Sequence, residues 1–256
     1  MRFQSPGMTR GAWSLASWLA LLACQLMAAE SSPLELAKEA FARDDYNRVI
    51  ELFQGGIGPG PEAMAEKHML AAAHQRRGEV HFQNGRIEEC LKDFDRVIEL
   101  IPEQAPHHWQ RGIACYYAGR YADGAAQFEL HRTVNPDDVE NAVWHFLCVV
   151  RSPGGSVKLA RTKLFAFKAD SRVPMKEIYE LFAGNATDGA VLAAGRAGGD
   201  LSRFYADLYV GLYDEALGKA AESLQLIAQA AVNPKANHYM GDVARTHLLV
   251  REGGKR

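Results

Sequence analysis

Apolar side chains recur at three- and four-residue intervals through much of this chain, as in Cys90, Leu91, Phe94, Val97 and Ile98. That spacing lines up one face of a helix, and no stretch shows the strict alternation of a strand. Glycine and proline punctuate the pattern at regular points. Sliding the chain by 34 residues lays Ala71–Pro102 onto Ala105–Pro136. Gly78 then meets Gly112, Gly85 meets Gly119, Phe94 meets Phe128 and Pro102 meets Pro136. Each position has a physical reason. Gly78 and Gly112 fall where two helices of a hairpin touch, and Gly85 and Gly119 end a first helix in the left-handed conformation that glycine adopts without penalty. Phe94 and Phe128 are expected between successive hairpins. Pro102 and Pro136 stop the second helix, since proline lacks the N–H and clashes with the preceding turn.

The succession of two glycines, a large residue (Ile87 or Tyr121), phenylalanine and proline in a 34-residue unit resembles the tetratricopeptide repeat, or TPR. Fainter copies flank the strong pair. Upstream, Ala37, Asp44, Tyr46 and Phe53 fit the register; downstream, Gly211, Gly218, Ile227, Ala230 and Pro234 do so. Asn141–Phe167 reads as a degenerate unit, and Pro174–Ala197 is helical but off the repeat, with Thr187 or Asp188 as cap. The expected fold is all-α: a right-handed α-solenoid of about five TPR helical hairpins, closed by a C-terminal capping helix near Ala236–Val250. Its divisions are an array over 34–167, a connector over 168–199 that bends or splits the stack, and a hairpin with cap over 200–251.

What the resemblance implies for function is a concave groove lined by the first helix of each hairpin. Carried onto this chain, the groove positions are Gln75, Arg76, Glu79, Phe82 and Gln83, then Trp109, Gln110, Ile113, Tyr116 and Tyr117. Trp144 and Arg151 follow from the degenerate unit, and Tyr205 and Tyr209 from the late one. Trp, Tyr and Arg dominate binding hot spots. Two uses of these side chains remain open: contact with a partner, or packing under the chain's own off-pattern and C-terminal helices. A clamp for a C-terminal carboxylate is not expected, because Arg76 is the one basic residue among the matching positions and Glu79 would repel the ligand.

Composition narrows the partners. Twenty-nine basic against 31 acidic residues leave a net charge of -2, and 48% hydrophobic content suits a buried core. A balanced surface has no broad field for phosphate backbones, so a protein or peptide is expected and nucleic acid is not. At the N-terminus, Arg2 and Arg10 precede an apolar run over 12–29 that breaks at Glu30, the layout of a secretory signal peptide over 1–29. Cleavage after Ala28 or Ala29 would release a soluble chain to the periplasm or cell envelope. Alternatively, Leu21-Leu22-Ala23-Cys24 resembles a lipobox, with Cys24 lipidated and attaching the protein to a membrane. Cys90, Cys115 and Cys148 remain, either as small buried residues or with Cys90 and Cys115 bridged.

No site chemistry rises above this. There is no HExxH, no nucleophile elbow, no phosphate loop and no CxxC pair, and no cofactor is expected. His107 and His108 read as a solvated helix start and His131 as a packed core histidine. His238, Asp242 and His247 form a remote metal candidate. An exported TPR chain with a lipobox-like sequence is similar to NlpI-type bacterial lipoproteins, and Trp109–Asp138 also resembles TPR proteins of planctomycete-type bacteria. The first similarity implies a non-catalytic envelope adaptor with its partner in the groove; the second implies a shared fold and no activity. The alternatives are a self-associating structural subunit and, remotely, a metal-dependent hydrolase.

Overall fold

A computed structural model describes residues 32–253; the signal-like segment and Cys24 lie outside them. The fainter upstream copy forms α1 (Pro33–Phe41) and α2 (Tyr46–Leu52), which precede the first strong hairpin of α3 (Ala63–Gln83) and α4 (Ile87–Leu100). Gly85 turns it at φ +70°, and a Cβ on Gly78 would stand 2.7 Å from the Phe94 ring. The next hairpin, α5 (Trp109–Tyr117) and α6 (Tyr121–Arg132), repeats both features: Gly119 at φ +74°, and Gly112 with its missing Cβ 2.7 Å from Phe128. Each phenylalanine thus packs first within its own hairpin. Phe94 also reaches the following unit, its ring centroid 4.7 Å from that of His108. The expected place between hairpins is therefore only its second contact.

Proline does more than stop α4. Pro102 opens a 3-10 turn over Pro102–His107 that delivers the chain to α5. This corrects the expectation for His108, which is buried at 5% exposure rather than solvated. His107 remains exposed. His131 lies in the core as expected, its ring Nδ1 2.8 Å from the carbonyl of Pro106. In the first hairpin Asp44 takes the place that glycine holds elsewhere, at φ 57°, and accepts a hydrogen bond from the Tyr46 hydroxyl. Asp tolerates this region better than most side chains.

The remaining helices are α7 (Val139–Arg151), α8 (Val157–Thr162), α9 (Met175–Ala183), α10 (Asp188–Ala197), α11 (Asp200–Ala216), α12 (Ala220–Ala231) and α13 (Tyr239–Gly253). Thr187 caps α10 through its hydroxyl, which accepts from the Ala190 N–H at 3.3 Å. In the late hairpin Gly211 sits 2.6 Å, Cβ to side chain, from Ile227. The described residues are all-helical, as a TPR solenoid requires.

The off-pattern helices do not interrupt the interior. α9 packs on α7, α10 packs on α11, and one apolar core runs from Phe82 to Ala244. A smaller cluster, Ala37 to Leu100, holds the first hairpin. Helix α13 covers α12 and then returns to pack on α3. Cys90, Cys115 and Cys148 are buried and unbridged. Burial pushes the Cys115 thiol up to about 11 and raises the other two as well, so all three behave as small apolar residues.

Candidate functional site

The first helices α3, α5, α7 and α11 bring the expected groove residues to one side of the stack, and α13 lies against that side. Tyr239 stacks on Phe82, centroids 5.4 Å apart, and meets Trp109 edge-on at 5.0 Å. Thr246 and His247, farther along α13, reach the Phe82 carbonyl and the Tyr117 hydroxyl at 3.0 and 3.2 Å. Apolar side chains that the repeat alone would leave in a trough are therefore covered. Phe82, Ile113, Tyr116, Tyr117, Trp144 and Tyr209 are all buried, the most exposed being Tyr117 at 7%. As expected surfaces for a partner these six are corrected: the chain's own helices occupy them, because removing aromatic area from water is worth about 25 cal/mol per Å².

Two of them also carry polar ties. Tyr116 donates to Glu215 at 2.8 Å, and Glu215 takes Arg251 of α13 at 2.5 Å and Arg151 at 3.1 Å. Arg151 is thus an internal ion-pair partner at the seam between α7, α11 and α13. Tyr209 donates to Glu140 at 2.6 Å. Burial raises Glu140, opposed by Arg172, which donates to Glu140, Asp138 and Asp170 together.

What α13 leaves open is narrower than the full groove. Arg76 and Gln83 are exposed, and Gln75, Glu79, Trp109, Gln110 and Tyr205 half-buried. Gln75 and Gln110, on neighbouring first helices, share a depression of about 330 Å³ with His68, Ala72 and His107. Arg76 and Gln75 both hydrogen-bond Glu79, at 2.6 and 2.9 Å, so this strip is a pre-arranged polar ladder. Gln83 is spent in part on Asp242 of α13 at 2.9 Å. Deeper in, a second cavity of about 360 Å³ opens between α5, α7, α11 and the start of α13, with Trp109, Trp144, Tyr205 and Tyr239 in its wall.

The remote metal trio is not assembled. Asp242 is held by Gln83 and Arg245, and His247 faces Tyr117. Among the described residues no group of three His, Cys, Asp or Glu side chains is placed to hold a metal ion. Burial pushes His247 down to about 4.

Sequence reasoning missed Tyr239, Asp138, Glu140 and Arg172. Register could not find them: Tyr239 and Arg172 lie off the repeat, and Asp138 serves in the structure as the N-cap of α7, accepting from the Glu140 N–H at 3.0 Å.

Against known proteins, the Tetratricopeptide repeat family matches residues 71–104, the α3–α4 hairpin and its exit. Over 103 residues the chain is 30% identical to a protein described as "Protein SGT1 homolog" from Oryza sativa subsp. japonica. The shared stretch is 40% of this chain and 26% of that relative, so the chain spans about a quarter of the relative's length. What the comparisons establish is a tetratricopeptide repeat within an all-helical array, the fold of a protein-interaction scaffold.

Proposed function

We propose that this chain is a non-catalytic TPR adaptor of the cell envelope, which binds a protein or peptide partner along the polar strip at the mouth of its groove. The observation that carries the reading is the joint depression of Gln75 and Gln110, flanked by the Arg76–Glu79 pair, on two adjacent first helices. Amide side chains there offer donors and acceptors to an extended backbone, and the strip remains accessible once α13 is in place. The deep aromatics serve a different purpose, holding α13 and the seam to α11. Export rests on the N-terminal pattern of Arg2, Arg10 and the apolar run, with lipidation at Cys24 as the route to a membrane-attached form. Similarity to NlpI-type lipoproteins fits the same setting.

Site-specific photocrosslinking tests the binding strip. A photoreactive residue at Gln75 or Gln110 should give a discrete protein adduct in the envelope fraction, and one at the exposed Glu88 of α4 should not. The pair exchange Arg76→Glu with Glu79→Arg should keep the helical circular dichroism and lose the adduct. Equal crosslinking from Glu88, or an adduct indifferent to the exchange, would count against the strip.

A further inference from the structure

We propose that the deep cavity between α5, α7, α11 and α13 binds an alkylated ammonium group, the head of a choline-like molecule or of a methylated lysine. The inference does not depend on the binding strip, which lies outside this cavity. It begins with the wall. Trp109, Tyr205 and Tyr239, each half-buried, bring three aromatic rings to a space of about 360 Å³, with the buried Trp144 behind them; that volume is at the lower end of the ~300–1,000 Å³ typical of small-ligand sites. Aromatic faces carry negative quadrupole density, and several of them around one cation form the arrangement that recognises quaternary ammonium.

Charge points the same way. Asp138 and Glu140 stand in the wall, and with Asp170 they share the single guanidinium of Arg172. Three carboxylates around one arginine leave an excess of negative charge. An anionic ligand would find that arginine already saturated by its three partners. A neutral apolar ligand would fill the rings and leave the field unanswered. A bulky, weakly hydrated cation satisfies both, since it gives up little hydration on entering an aromatic box.

A separate observation indicates that something polar or charged belongs here. The indole N–H of Trp144 and the side-chain oxygen of Asn141 belong to wall residues only 1% and 4% exposed, and neither has a hydrogen-bond partner. The Tyr239 hydroxyl and His238 Nε2, also from the wall, are likewise buried without partners. Buried polar atoms are normally satisfied, so these four beside one cavity point to a polar occupant, whether ordered water or a ligand.

Titration of the full chain by calorimetry, followed in parallel by the indole N–H resonances of Trp109 and Trp144, tests this. The probes are choline, a trimethyl-lysine peptide, choline's uncharged carbon isostere 3,3-dimethylbutanol, and acetate. Either ammonium probe should bind at least tenfold more tightly than the isostere and shift both indole resonances, with acetate inert. The tighter of the two ammonium probes identifies the source. Trp109→Ala should weaken binding tenfold or more, and Glu140→Gln, which preserves the shape and the Tyr209 contact, should weaken it severalfold with circular dichroism unchanged. Equal affinity for the uncharged isostere, binding indifferent to Glu140→Gln, or no ammonium binding at millimolar concentration overturns the proposal. Loss of crosslinking at Gln75 with ammonium binding intact would sink only the adaptor strip.

Discussion

The Thr246 hydroxyl donates a hydrogen bond to the carbonyl oxygen of Phe82, 3.0 Å away across 164 residues of sequence. It joins the last helix to the C-terminal end of α3, the first helix of the first strong repeat. The same carbonyl already accepts from the Gly85 N–H at 2.9 Å, so losing Thr246 does not orphan it. Thr246→Val should therefore cost only about 1 kcal/mol, the net worth of one buried hydrogen bond. Deleting α13 altogether is another matter. A chain ending at Asn237 uncovers Phe82, Tyr117 and Trp109, and should bind a hydrophobic dye strongly where Thr246→Val does not. Denaturant midpoints and dye fluorescence separate the two.

Two glycines that look alike in sequence should respond differently. An alanine Cβ at Gly78 would stand 2.7 Å from the Phe94 ring, whereas at Gly119 nothing lies within 4 Å and the objection is φ +74°. Gly78→Ala should destabilise by about 2 kcal/mol through overpacking, and Gly119→Ala by about 1 kcal/mol through backbone strain. Gly119→Asn should recover part of its loss, because asparagine tolerates the left-handed region. No side chain should rescue Gly78. Urea unfolding of the four proteins checks this.

Asp93, 2% exposed, is bound by His74 at 2.7 Å and by two nitrogens of Arg77 at 2.9 and 2.7 Å. Burial would raise its carboxyl, but the hydrogen bonds from His74 and Arg77 outweigh that and hold it below the ordinary carboxylate range. Asp93→Ala leaves those donors without their anion and should cost about 3 kcal/mol. Glu99→Ala, which breaks only the exposed pair with Arg96, should stay within about 0.5 kcal/mol. Similar losses from both would refute the distinction.

Stability should fall in mild acid. Burial pushes His108 and His247 down to about 4 from the ordinary 6.5, so both are neutral in the folded chain at pH 7. Between those values the unfolded chain takes up protons that the folded one refuses. The folded state is therefore fully favoured above about pH 6.5 and loses on the order of 3 kcal/mol per histidine as pH falls to 4. His247→Gln should flatten that slope in urea titrations at stepped pH. A profile unchanged by the substitution would show that His247 is not responsible.

How much of this could be read from the chain follows from the range of each interaction. Hairpins, turns and their boundaries depend on contacts between near neighbours. Gly78 at a helix crossing, Gly85 in its left-handed turn and Pro102 after α4 were all legible from a 34-residue offset, whereas the seat of Phe94 against Gly78 inside its own hairpin was not. The helical class of the off-repeat segment was legible too, with its cap narrowed to Thr187 or Asp188; in the structure it is Thr187. Register also places Trp109, Tyr116 and Tyr117 on one helix face. Whether that face stays open depends on how the superhelix curves and where its far end arrives. Small rotations accumulate from hairpin to hairpin, and no local pattern in Tyr239 or His247 states that they will meet Phe82 and Tyr117. Burial of the deep aromatics, the sharing of Arg172 by three carboxylates and the cavity beside Trp144 all follow from that closure. They come into being only when residues far apart in the chain are packed together, because a side chain's environment is set by its neighbours in space.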